Sequence, residues 1–294
     1  MTNDINTLNG ALSELGETMA DNLTTMGVTA SASDGLTTLA GKILDIQGGE
    51  AIVLTTNKNI LSYADSETAT LTATHSGGAG KTVEIYNATT GTKIGDATDN
   101  NDGTYTYTYN STGVGDISMT ATSGTTESNS ITIEDCIKAG FTNWTGTYTT
   151  GTDTYDYIQP SSIISPNISL PSSFKIEYKF YNTNNDTTAT GTGLWIIGAD
   201  TDNGVLIGHE GTDRRIRIYS RSSGSNTVRA TENTVYTYQT WTDALITYNN
   251  GTISLTVGGK TISYSLSSTN VMQTYAVYSA LRLAEFKIKP LTTQ

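Results

Sequence analysis

The sequence predicts a mainly β protein with a short helical segment at its N-terminus, and three observations carry that expectation. Apolar residues recur at helical spacing only before Gly48 and Gly49; from Ala51 onward the period is two, and Gly, Asn and Asp clusters separate the alternating runs. The composition agrees, because 294 residues with 29 Gly, 4 Pro, 36% hydrophobic and 15% charged residues exclude collagen, a Pro-rich stalk and a disordered acidic chain.

In residues 1–49, Ile5, Leu8, Leu12, Leu15 and Met19 fall at steps of three and four, continuing through Asn22 to Met26. This is an a/d seam. Asn3 or Asp4 caps its start, Gly10 and Gly16 each weaken it by about 1 kcal/mol against Ala, and Gly27 ends it. A shorter helix is expected next, with Leu36, Leu39, Ile43 and Ile46 on one stripe. A lone helix of this kind is marginal in water, so the seam needs a partner. That partner is either the second helix of the same chain or copies of the segment from neighbouring chains; the spacing fits both.

Residues 50–135 read as seven short strands: 52–56, 69–74, 82–86, 93–97, 104–109, 117–122 and 130–133, parted by turn residues such as Gly77-Gly78 and Asn101-Asp102-Gly103. They fit a small sandwich. His75, just before a turn, reads as a solvated loop residue. Cys136 is alone, which leaves no intrachain disulfide and no thiolate zinc site, and reads as a small buried hydrophobe. Residues 136–294 are again all β. Phe174, Ile176, Tyr178 and Phe180 alternate with charged residues, and the Asn250-Gly251 and Gly258-Gly259 turns write out two hairpins.

At this point the residues carry resemblances. The segments VEIYN and DGTYTYTY within residues 66–124 resemble the immunoglobulin-like domains of bacterial and archaeal adhesins and of phage tail proteins, which implies an immunoglobulin-like β-sandwich serving as a spacer. The series FKIEYKFYN, GLWIIGAD, RRIRIYS, YQTWTDALITYNNGTISLTVGG and LRLAEFKIKP resembles the concanavalin-like jelly roll of laminin-G, pentraxin and legume-lectin domains. The phrase DGLTTLAGKI near the N-terminus is similar to attachment segments of tail-fibre and baseplate proteins of head-tailed viruses.

The net charge is −12, yet residues 1–134 hold 16 acidic and four basic residues whereas residues 135–294 balance 12 against 12. All arginines follow Asp213, which argues against a general nucleic-acid partner and points to one local basic patch. Alternation places Arg215, Arg217, Tyr219 and Arg221 on one face of a strand, with Ile216 and Ile218 on the other. Such a face suits an anionic glycan; it equally fits a solvated strand or an interface with acidic residues of a second copy. Trp144, Tyr155 and the tyrosines around them form a polar, aromatic-rich stretch where exposed rings are expected, whereas Trp195 and Trp241 sit in strand contexts that favour the core. Asp200, Asp202 and Asn203 before Gly204 offer oxygen ligands, so calcium is a possible cofactor and no other is implied.

Catalysis finds little support. The two histidines lie in different segments without a nucleophile motif, and Glu177, Glu210, Glu232 and Glu285 are scattered rather than paired as a glycosidase requires. No leader or membrane-spanning run opens the chain, so a protein made in the host cytoplasm without a signal peptide and carried on the virion is expected. Together these readings point to a non-enzymatic tail-fibre or receptor-binding protein that assembles as a homo-oligomer, as a trimer by analogy with fibres, docks to tail or baseplate proteins through residues 1–49, and binds a host-surface glycan through residues 136–294. A structural decoration protein and a cell-surface adhesin are the alternatives.

Overall fold

The computed structural model describes residues 2–25, 30–35, 38–39, 50–183, 194–210, 214–266, 273–277 and 281–291. One helix, Thr2–Thr25, opens the chain. Its C-terminal half packs within the chain: Ala20 and Leu23 are buried against Leu39, with Met19 and Ala30 alongside. Leu12 and Leu15, one turn further from that contact, are 42% and 50% exposed. The side chains of Ile5 and Leu8 lie outside the described residues, as does most of the second helix expected over 36–46. What is seen there is Ser31 capping the turn Ala32–Asp34, with the Asp34 carboxylate accepting the Ser31 N–H at 2.9 Å.

Two sheets follow, packed face to face. In one, Ile52–Thr56, Thr68–His75, Thr104–Asn110 and Thr98–Asp99 pair antiparallel in that spatial order; in the other, the order is Ile60–Ser62, Ile131–Cys136, Gly115–Ser123, Glu84–Asn87 and Lys93–Asp96, with Thr126–Glu127 on the third strand. Period two decides the core. Ala69, Leu71 and Ala73 point inward, against Ile85, Met119, Ala121 and Ile133 from the facing sheet, while the threonines between them face outward.

The same parity corrects the reading of His75. It is the next inward position after Ala73, its side chain is buried, and its Nδ1 accepts the Gly77 N–H at 2.9 Å. The short strand Ile60–Ser62, which three residues could not announce, pairs in parallel with Ile131–Cys136. Cys136 is buried as expected, and desolvation pushes its thiol up to about 12.

Ile137 alone separates Ile131–Cys136 from Lys138–Ala139, which joins the second pair of sheets. The larger runs Tyr148–Thr152, Asp156–Pro160, Leu281–Pro290, Phe174–Asn182, Thr242–Asn249, Thr252–Val257 and Lys260–Ser265, with Lys138–Ala139 also on the third strand; the smaller runs Ser225–Glu232, Arg215–Ser222, Gly204–Glu210, Leu194–Gly198 and Gln273–Val277. Phe174, Ile176, Phe180 and Ile246 of the first meet Val205, Ile207, Ile216 and Ile218 of the second. Both expected hairpins close as two-residue turns: Asn250 and Gly251 have φ of 47° and 81°, Gly258 and Gly259 of 56° and 75°, the left-handed pairs that match strand twist. The protein is mainly β, with two sandwiches in series.

Candidate functional site

The hairpin of Tyr148–Thr152 and Asp156–Pro160 turns through Asp153, Thr154 and Tyr155, and the Tyr155 N–H donates to Asp153 Oδ1 at 3.3 Å. Tyr157 lies two residues on and shares the face of Tyr155, while Ile158 enters the core. Parity selects the remaining members. In Phe174–Asn182 the even-numbered residues are buried, which leaves Tyr181 outward. In Thr242–Asn249, Ala244, Ile246 and Tyr248 are buried, so Trp241, just ahead of the strand, falls on the outer face. Arg282 stands opposite Tyr181 in register.

These side chains converge on the outward face of the larger sheet. The Trp241 ring centroid lies 5.3 Å from Tyr155, 6.2 Å from Tyr157 and 5.5 Å from Tyr181. The Arg282 guanidinium sits 4.4 Å from the Tyr157 centroid and 5.2 Å from that of Tyr181, within cation–π range of both. Asp153 ties the cluster together: it accepts from Trp241 Nε1 at 2.9 Å and from Arg282 Nη1 at 2.7 Å. Desolvation works against its charge, but the hydrogen bonds from Trp241, the Tyr155 and Thr154 backbone and Arg282 hold its carboxyl below the ordinary carboxylate range. Lys179 lies 5.1 Å from the Tyr155 centroid and pairs with Asp243 and, at 3.7 Å, with Glu285.

Two shallow depressions open here. One is lined by Thr154, Gln239 and Thr240 with the rings of Tyr155, Tyr181 and Trp241; its neighbour is lined by Lys179, Asp243, Leu245, Glu285 and Lys287. Half-buried flat rings rimmed by amide, hydroxyl and carboxylate groups suit a ligand with an apolar C–H face and a polar edge. A pyranose ring has that shape.

No family profile matches the sequence, and neither does any curated protein. Solved structures similar to part of the chain include the carbohydrate-binding module CBM66 from Bacillus subtilis, at 14% identity and a TM-score of 0.37, covering 51% of this chain and 97% of that one. A toad ovary galectin in complex with thio-digalactose gives 12% identity and a TM-score of 0.37 over 44% of this chain and 99% of that one. The lumenal domain of VIP36 in a calcium- and glycan-bound form gives 9% identity and a TM-score of 0.41 over 51% and 84%. At these scores the resemblance is partial, and the ligands named in those proteins are theirs.

The residues singled out in the sequence are distributed differently. Tyr155 belongs to the cluster; Trp144 does not. It is 7% exposed, packs 5.0 Å from Phe141 and 4.9 Å from Phe286, and donates Nε1–H to the Gly140 carbonyl at 3.1 Å. The pairing of Lys138–Ala139 with Leu281–Pro290 folds this polar stretch over the core edge, which overturns the expectation of an exposed ring. Trp241 reverses the other way, from expected core to surface cluster. The Trp195 side chain lies outside the described residues.

The arginine face points outward as expected, but from the smaller sheet, on the opposite side of the sandwich from Tyr155. Its cations are engaged within the chain. Arg215 and Arg217 pair with Glu210 at 3.0 and 3.1 Å, Tyr219 donates to the same carboxylate, and Arg221 bonds Thr201 O, Gly224 O and Asn226 at 2.7 to 2.9 Å. Arg215, Arg217 and Tyr219 thus form an internal network on Glu210, while Arg221 is held by the loops around Thr201 and Gly224.

Asp200, Asp202 and Asn203 do share a loop, but as a turn. Asp200 Oδ1 accepts the N–H groups of Asp202 and Asn203 at 2.7 and 2.8 Å, Asn203 Oδ1 accepts the Ser223 N–H at 3.1 Å, and Asp202 faces Arg221 at 3.4 Å. Calcium takes six to eight oxygens. These hydrogen bonds explain the turn without an ion, and among the described residues no three His, Cys, Asp or Glu side chains converge on one point.

His209 is a core group, stacked 4.1 Å from Phe180 and bonded through Nε2 to Tyr178; burial alone lowers its pKa to about 3, which keeps it neutral at ordinary pH. Glu177 pairs with Lys175 at 2.8 Å and approaches Lys289 of the adjacent strand at 3.8 Å, an ion-pairing role on the sheet face.

Proposed function

We propose that this chain is a non-catalytic virion appendage protein, a tail fibre or receptor-binding protein, that recognises a host-surface glycan. The single observation that carries recognition is the outward cluster of Tyr155, Tyr157, Tyr181 and Trp241, its rings fixed by Asp153 and Arg282. The virion setting rests on the sequence: the N-terminal attachment-like phrase and the immunoglobulin-like run resemble tail proteins. In this reading residues 1–49 dock to tail or baseplate proteins, and the seam Ile5, Leu8, Leu12, Leu15 and Met19 gathers copies into a trimer. Several weak sugar contacts then act at high effective concentration.

A glycan array probed with the full chain and with Trp241→Ala tests it. Binding should weaken by about tenfold or more in Trp241→Ala, as for a central aromatic anchor, and survive Arg217→Ala. Glycan binding indifferent to Trp241 would contradict the assignment of the site. The structural alternative, a spacer that stiffens a tail, draws support from the one-residue connection and the ion pairs between the sandwiches; an array without any bound glycan favours it.

A further inference from the structure

The charges around the rings point to a class of ligand that the arginine-rich sequence does not. Among the described residues that line the two depressions or flank their rings, the cations are Arg282, Lys179 and Lys287, the last held by Glu134 at 2.6 Å and 20% accessible. Arg282 is held by Asp153 at 2.7 Å and flanked by Tyr157 and Tyr181; Lys179 is held by Asp243 and lies near Glu285. Three cations against the four carboxylates Asp153, Glu177, Asp243 and Glu285 leave the face with one negative charge. Asp243 and Glu285 are also its most exposed charges, with side chains 84% and 51% accessible, whereas those of Lys179 and Arg282 are 18% and 28% accessible.

An arriving carboxylate or sulfate would therefore meet carboxylates first. To reach a guanidinium it would have to displace Asp153, which also positions Trp241. A neutral sugar meets no such opposition: it can lay its C–H face on the rings and take hydroxyl hydrogen bonds from Gln239, Thr240 and the carboxylates at the rim.

We infer that the aromatic face selects neutral glycans and rejects uronic, sialylated or sulfated ones. The inference rests on the glycan reading of this face and adds the sign of its selectivity. Charges within about 10 Å of one another interact appreciably at 0.1 M salt, so rejection of anions should fade as ionic strength rises while binding of neutral chains stays constant.

Affinity electrophoresis of the full chain tests this, in gels containing dextran, mannan, galactomannan or β-1,3-glucan on the neutral side and polygalacturonate, hyaluronate or polysialate on the acidic side. Retention is expected in at least one neutral gel and in no acidic gel, reduced about tenfold or more by Trp241→Ala and little by Trp241→Phe, with melting curves confirming that both variants fold. Because the whole chain is acidic, Asp243→Asn combined with Glu285→Gln provides a positive control on locality: it leaves the face net positive and should gain acidic retention. Retention confined to acidic gels but dependent on Trp241 would overturn the neutral preference and leave the glycan site standing. A double variant that gains no acidic retention overturns the charge argument. Retention in no gel, or retention independent of Trp241, overturns the site itself.

Discussion

Asp153 has the largest leverage of any single side chain in the candidate site, because its two oxygens orient an indole and a guanidinium at once. Asp153→Asn removes the charge that holds Arg282 while keeping the size, so glycan affinity should fall with little change in melting temperature, measured by titration calorimetry and a thermal scan. The pH dependence has a definite sign. Hydrogen bonds to its charged form depress the Asp153 pKa below the carboxylate value of 3.8, so the arrangement is intact above that value and is lost as pH falls through the depressed one. Binding measured between pH 5 and 8 should be flat in this group and decline only in stronger acid. Tyr155 is picked out by its aromatic-rich stretch, but strand context alone puts Trp241 in the core and passes over Tyr181, although strand parity carries both: with Ala244, Ile246 and Tyr248 inward, Trp241 has to face out, and Tyr181 follows from Phe174 and Phe180 in the same way. Trp144 offered no such rule, because it lies outside a regular strand and its burial is decided by Phe141 and Phe286. The partner of the arginine row was hidden for another reason, since Glu210 reaches those residues only across the sheet register.

At the scale of elements, alternation located the strands and the two glycine turns, since a half-buried sheet and a left-handed turn each leave a local mark. It could not reveal sheet order, nor the parallel pairing of Ile60–Ser62, which depend on contacts between distant segments. The N-terminal helix separates the two roles that the heptad spacing left open. Ala20 and Leu23 serve packing within the chain, whereas Leu12 and Leu15 stay exposed on the seam, and the acidic Glu14, Glu17 and Asp21 occupy c and f positions away from it. Self-association would therefore bury leucines without opposing like charges. Leu12→Asp with Leu15→Asp should convert an oligomer into a monomer in sedimentation velocity while melting of the β domains is unchanged; a wild-type chain that sediments as a monomer at all concentrations would contradict the seam.

Across the whole molecule, the two sandwiches are joined by more than a chain connection. Lys138 of the second bonds both oxygens of Asp65 of the first at 2.6 Å, with side chains 2% and 8% accessible, and Asn143 adds a bond to the same carboxylate at 3.0 Å. Lys289 reaches Asp116 and Glu134 at 2.7 and 2.8 Å, and Lys287 reaches Glu134 at 2.6 Å. Removing one partner of a buried pair strands the other, so Lys138→Met should cost about 3 to 5 kcal/mol in denaturant unfolding, and adding Asp65→Leu should recover part of it. This joint fixes the second sandwich, and with it the aromatic face, relative to the first. The net charge of −12 belongs almost wholly to the segments before the joint, and after it Arg215, Arg217 and Arg221 are engaged internally, so under the proposed function recognition would fall to rings rather than to charge. That claim can be read from three signals. The chain has three tryptophans, so the protein labelled with 15N-tryptophan gives three indole N–H resonances, and oligosaccharides cut from whichever polysaccharide retains it can be titrated in. The Trp241 indole, bonded to Asp153 at the rim of the depression, should shift saturably while that of Trp144, buried and bonded to Gly140, stays fixed; a stationary Trp241 signal under saturating ligand would contradict the account.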